Sequence, residues 1–172
     1  MITVKDNSLQ VAKNFEKQIR EQPQIVKTAL GRTAEFLIGL IKQRTSRGIS
    51  SDGNIFPPYS TKSFFFNITP KSKPTYKTFQ GGYKEYRGFM GRQNSKVDLN
   101  FSGNMLSNIT QKSTPTQAII YFANKFENTK AVGNQKKRKF FAIGDREQQP
   151  IINKFMQEFK KLSTVIWANE KI

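Results

Sequence analysis

Residues 97–123, VDLNFSGNMLSNITQKSTPTQAIIYFA, decide the fold class. Val97, Leu99 and Phe101 alternate with Asp98 and Asn100, the period of a half-buried strand. Ser102-Gly103 ends that run, and Met105-Leu106 open a short turn or helix leading to Ile109. Residues 110–113 and 117–123 then read as two further strands joined around Pro115.

Downstream, residues 124–134 are polar and suit a short helix, and 135–139 form a basic run. Residues 140–143 read as a short apolar strand that Gly144 ends. Asp145 can cap a last helix with Glu147 in its first turn, and Pro150 falls in its opening. Ile152, Phe155, Met156, Phe159, Leu162 and Ile166 give that helix an apolar stripe.

Upstream, Leu9, Ala12, Phe15 and Ile19 recur at helical spacing, and Gln22-Pro23 is expected to break that helix. Pro23 suits the first turn of a second helix over 23–47, striped by Val26, Ala29, Leu30, Thr33, Leu37, Leu40 and Ile41. Gly48 suits its stop. Between 48 and 96 the chain holds turn formers, a Phe64-Phe65-Phe66 run and many cations. There 75–80 and 83–89 flank Gly81-Gly82, a hairpin signal.

The expected fold is therefore α+β: an antiparallel sheet of about four strands packed against two long helices, with an extended basic hairpin arm. The expected organisation is an N-terminal helix over 1–22, a core domain over 23–62 and 96–172, and the arm inserted at 63–95.

Composition narrows the function. The 172 residues contain 29 Lys+Arg and 12 Asp+Glu, a net charge of +17, so anionic partners are favoured. Cysteine and histidine are both absent, which excludes disulfides, thiolate or imidazole metal sites, and Ser–His–Asp or Cys–His catalysis. Capping and turn chemistry accounts for three of the four aspartates, Asp6, Asp52 and Asp145, so no catalytic residue is named and no cofactor is expected. The longest apolar run, 36–41, is far too short to span a membrane, and residues 1–10 lack the apolar stretch of a signal peptide. No membrane partner is expected, and synthesis in the cytosol is.

The 63–95 segment interleaves rings with charge. Phe64, Phe65, Phe66, Tyr76, Phe79, Tyr83, Tyr86, Arg87 and Arg92 are the candidate interface residues. Lys71, Lys73, Lys77 and Lys84, with Lys136, Lys137, Arg138 and Lys139 of the later basic run, are candidate contacts to DNA or an acidic partner. Such a stretch either packs its rings on its own domain or a neighbouring subunit, or grips single-stranded nucleic acid by stacking and phosphate contacts.

The order of short motifs resembles the phage virion morphogenesis, or tail completion, family of head–tail joining proteins. Gly53-Asn54-Ile55-Phe56-Pro57-Pro58-Tyr59-Ser60 is similar to that family's G-x-x-[FW]-x-P-[LY]-S turn. Tyr83-x-x-Tyr86-Arg87 and Gly91-Arg92 precede Val97-Asp98-Leu99-x-Phe101-Ser102-Gly103-x-Met105-Leu106, which is similar to a V-D-L-T-x-[ST]-G-x-[ML]-L strand-turn. Ile119-Ile120-Tyr121-Phe122 with Ala131, and Arg138-Lys139-Phe140-Phe141-Ala142-Ile143, follow in the family's order. Lys139 stands where Pro is usual and Ala142 where Gly is usual, and the resemblance covers roughly 33–165.

The resemblance implies a structural virion protein and not an enzyme. It implies a homo-oligomeric ring at the head–tail junction that contacts other neck and tail proteins and surrounds passing DNA. The alternative is a basic nucleic-acid-binding module that uses the 63–95 segment.

Overall fold

A computed structural model describes residues 8–69 and 73–168. About half the chain is helical, and the strands form two separate two-stranded antiparallel sheets. The elements are α1 (Ser8–Ser46), β1 (Phe64–Asn67), β2 (Tyr76–Phe79), α2 (Gly82–Phe89), α3 (Asn104–Ser107), β3 (Ile109–Ser113), β4 (Ala118–Phe122), α4 (Lys125–Gln135) and α5 (Asp145–Ala168). The class is mixed α+β, as the sequence indicates, but the described residues hold no single sheet of four strands.

The chain divides into two compact units. The described part of the first comprises residues 8–38, 110–121 and 146–168. In it, Ala29, Thr33, Ala34, Leu37 and Ile38 of α1 are buried at helical spacing. Arg32 of α1 pairs with Glu158 of α5 at 2.9 Å, and Lys154 reaches the same carboxylate at 2.7 Å. Phe155 and Phe159 stack along α5.

The helix does not break at Pro23, which lies inside a 39-residue α1. A proline there removes one ladder hydrogen bond and costs about 3 kcal/mol. Continuing one helix avoids the cost of nucleating a second.

The described part of the second unit comprises residues 39–69, 73–109 and 122–145. Ile41 and Thr45 carry the buried stripe of α1 into it. Gly48 ends the helix at φ +81°, where a Cβ would come within 2.9 Å of the Val97 carbonyl oxygen. Helix α4 is capped by Asn124, whose side chain accepts from the N–H groups of Phe126 and Glu127.

Three strand expectations in this unit fail for identifiable reasons. Residues 83–89 form α2, and β2 pairs instead with β1, Phe64 opposite Phe79 and Asn67 opposite Tyr76. Tyr83, Tyr86 and Arg87 then share one helical face, and Glu85 accepts the Gly81 N–H at 2.7 Å. Residues 97–101 form no strand, because the Asp98 carboxylate accepts the Asn100 N–H and Leu99 turns the chain at φ +53°. Residues 140–143 form no strand either. Their Phe140 and Ala142 carbonyls accept from the Arg44 guanidinium at 2.7 and 2.9 Å.

Among the described residues of 63–95, β1 and β2 form a hairpin covered on one face by α2, and the segment supplies Phe79 and Arg87, two of the most buried side chains described.

Candidate functional site

Arg87 organises the second unit. Its side chain is 2% exposed, a costly state for a guanidinium unless every donor is matched. Nε donates to the Gln93 carbonyl at 2.6 Å. Nη2 donates to Asp98 Oδ1 at 3.1 Å and to the Asn100 carbonyl at 3.0 Å. The guanidinium carbon also lies 4.6 Å from the Tyr59 ring centroid and 5.7 Å from that of Phe101.

Asp98 closes the network. Its Oδ1 accepts from Arg87, from the Tyr59 hydroxyl at 3.1 Å and from the Asn100 N–H at 3.0 Å. Burial, with the Asp98 charge adding to it, pushes the Tyr59 phenol up to about 12, so it stays a neutral donor. On the outer side of Tyr59, Arg138 donates to the carbonyls of Pro57 and Pro58 at 3.2–3.3 Å, with its guanidinium 5.8 Å from the ring centroid. Burial lowers the Arg138 pKa.

The rings of 63–95 pack inward around this network. Phe64 stacks on Phe79 at 5.5 Å, and both meet Tyr86 edge-on. Tyr86 stacks on Phe101 at 5.7 Å and 7°. Tyr83 lies beside Tyr59 at 5.4 Å.

The candidate interface residues thus separate. Phe79 and Arg87 lie inside the unit, and Phe64, Tyr83 and Tyr86 are half-buried. Phe65 and Tyr76 stack on each other at 4.9 Å and 6° on the outward face of the hairpin, 65% and 55% exposed. Phe66 is partly exposed, and exposed Arg92 lies 5.8 Å from the Phe101 ring centroid.

The candidate cations separate too. Lys73, Lys84, Lys136 and Lys137 are exposed. Lys77 sits 4.3 Å over the Phe89 ring, and Lys139 pairs with Asp52 at 3.2 Å. Lys71 lies outside the described residues.

A cleft of about 590 Å³ opens beside Tyr59, bounded on one wall by Lys130, Lys137 and Arg138. Glu127 borders it as well and pairs with Lys130 at 2.8 Å. Sequence reasoning about function did not single out Tyr59, Asp98, Phe101, Glu127 or Lys130. The signal for the first three was their place in the Pro-Pro-Tyr-Ser and Val-Asp-Leu motifs.

Among the described residues no group of three or more acidic side chains could hold a metal ion. None of the described helices is long and apolar enough to cross a membrane. No family model, curated protein or solved structure matches the chain.

Proposed function

We propose that this chain is a structural virion protein of a tailed bacteriophage, a subunit of an oligomeric ring at the head–tail junction, and that it carries no catalysis. The observation that supports this best is spatial. Pro57, Pro58 and Tyr59, Arg87, Asp98 and Phe101, and Arg138 come from four separate motifs of the head–tail joining pattern. They meet in one hydrogen-bonded and ring-packed cluster. Residues spread over some eighty positions converge, so the order of motifs corresponds to a three-dimensional unit.

The surface supports the same reading. Ile55, Phe65, Tyr76, Phe126, Ile152 and Met156 are each more than half exposed on a chain of net charge +17. Apolar surface of this extent fits contact with neighbouring subunits and with neck and tail proteins. Each two-stranded hairpin gains strands from a neighbour in the ring, giving a sheet of the size that the sequence suggests. The positive charge then serves the DNA passing through the channel or acidic faces of adjoining rings.

Mass photometry at moderate and high salt, with and without a DNA oligomer, tests this. The expected result is a discrete multimer that persists at high salt without DNA. A monomer that shifts only with DNA, and only at low salt, favours the second reading, a nucleic-acid-binding module. That reading has its own support in the outward Phe65–Tyr76 stack and in exposed Lys73, three residues before Tyr76 in the same segment.

A further inference from the structure

The cleft beside Tyr59 has a charge imbalance that the folded unit leaves standing. Lys130 is neutralised by Glu127 at 2.8 Å. Lys137 has no carboxylate partner among the described residues. Arg138 directs its donors to the carbonyl oxygens of Pro57 and Pro58, which hold the side chain without cancelling its charge. Two uncompensated cations therefore border a cleft of about 590 Å³ whose other walls include Tyr83 and Phe101. Apolar walls of this kind focus the field and leave it less screened than on an open surface. Ser60 and Ser102 also border the cleft and bring hydroxyl donors.

Size and chemistry narrow the occupant. The volume suits a side chain or a short segment, not a helix or a duplex. A nucleobase needs a free ring face to stack on. One face of Phe101 is already stacked on Tyr86, Tyr59 already faces the guanidinium groups of Arg87 and Arg138, and Tyr83 is packed against the rings of Tyr59, Tyr86 and Phe101. A phosphate carrying up to two charges would meet the Glu127 carboxylate in the same cleft. A single carboxylate tolerates that neighbour better, and it needs only the Lys137 ammonium and the Arg138 Nη1 group, since Nε and Nη2 are directed at Pro57 and Pro58.

We propose that the cleft binds a carboxylate-bearing segment of a neighbouring protein, with an Asp or Glu side chain seated between Lys137 and Arg138. With 12 acidic residues against 29 basic ones, a second copy is a poor source, so the segment belongs to a different, acidic protein. The inference rests on the ring reading only for the partner's place in the assembly. Binding itself is measured separately.

The test uses the full chain and a fluorescein-labelled hexaglutamate peptide, followed by anisotropy at near-physiological salt. Lys137→Gln is expected to weaken binding by about tenfold, and Lys73→Gln, an equal loss of charge elsewhere, by less than about twofold. Arg138→Gln is expected to weaken it further, but it also loosens the Pro57-Pro58 turn, so Lys137→Gln decides. Carbodiimide coupling is expected to join the peptide to Lys137, located by mass spectrometry.

Equal losses in Lys137→Gln and Lys73→Gln, or coupling spread over all exposed lysines, would overturn the proposal. So would displacement of the peptide by a short oligonucleotide or by inorganic phosphate whose own affinity falls in Lys137→Gln. Mass photometry on the same samples separates the two readings. A multimer that fails to bind the peptide sinks the cleft assignment alone, and a peptide-binding monomer sinks the ring alone.

Discussion

Two arginine–carboxylate pairs, one in each unit, have nearly the same length and different consequences. Arg87–Asp98 spans 3.1 Å and Arg32–Glu158 spans 2.9 Å. The Arg87 side chain is 2% exposed, whereas that of Arg32 is 48% exposed. Water therefore competes for Arg32 and screens its attraction. Arg87 has no such outlet, and each of its donors must find a protein acceptor or ring. The same chemistry makes a fixed frame in one unit and a modest tie in the other.

Breaking the frame gives the largest expected effect. Arg87→Met leaves Asp98 with two neutral donors and no cation, and removes contacts to Tyr59 and Phe101. Thermal and urea unfolding should show a loss of about 3–5 kcal/mol. Adding Asp98→Asn should recover part of it, because the uncompensated carboxylate is then gone. If Arg87→Met unfolds like the parent protein, the network does not organise the unit.

Gly82→Ala comes next. Gly82 has φ +68°, and a Cβ there would approach the Ser60 carbonyl oxygen at 2.5 Å and the Thr61 carbonyl carbon at 2.5 Å. Both the left-handed backbone and the rigid neighbours oppose the change, so a loss above about 1 kcal/mol is expected in urea titrations. Gly53→Ala is the control, since it shares a positive φ but has open space around it. Equal losses at the two positions would assign the whole effect to backbone strain and none to close approach.

Tyr59→Phe removes only the hydroxyl that Asp98 accepts, at a cost of about 1 kcal/mol. It also changes the alkaline limb. The Tyr59 phenol is raised to about 12 from 10, so its contribution is full below about 10 and fades as pH rises through 12. The stability difference between parent and variant should shrink over that window. A constant difference would show that the hydroxyl is not coupled to the buried network.

Much of the second unit was hidden because its determinants are far apart in sequence. The β3–β4 hairpin, α4, the close of α1 at Gly48 and α5 all follow local rules, and local reading finds them. Residues 140–143 look like a strand until Arg44, some 96 positions away, takes their carbonyls. Residues 97–101 alternate correctly, and Val97 is indeed buried, but Asp98 folds the chain back. Helix α2 had a local signal in the spacing of Tyr83, Tyr86 and Arg87 and in Glu85 four residues after Gly81. The Gly-Gly pair drew attention to the wrong turn.

The candidate site was legible in the same uneven way. The rings and cations were visible as a composition, and only the fold separates buried Arg87 and Phe79 from outward Phe65 and Tyr76.

The smallest effect belongs to the pair whose arginine is exposed, and it is best seen in acid. Glu158 is held at about 2, below its usual 4.5, first by the Lys154 hydrogen bond and then by that of Arg32. A carboxyl lowered on folding stabilises fully above its unfolded value and loses that contribution as pH falls through its folded one. The parent protein should therefore lose this part of its stability between about pH 4.5 and pH 2. Glu158→Gln has no charge to lose, so its Tm should lie a little below the parent's at neutral pH and converge with it near pH 2. Arg32→Gln should reproduce only part of that difference, since Lys154 remains at 2.7 Å. Parallel curves for parent and Glu158→Gln across the window would mean that the charge at Glu158 is incidental to the stability of this unit. Convergence would place a measurable, water-screened tie where the second unit has a buried frame.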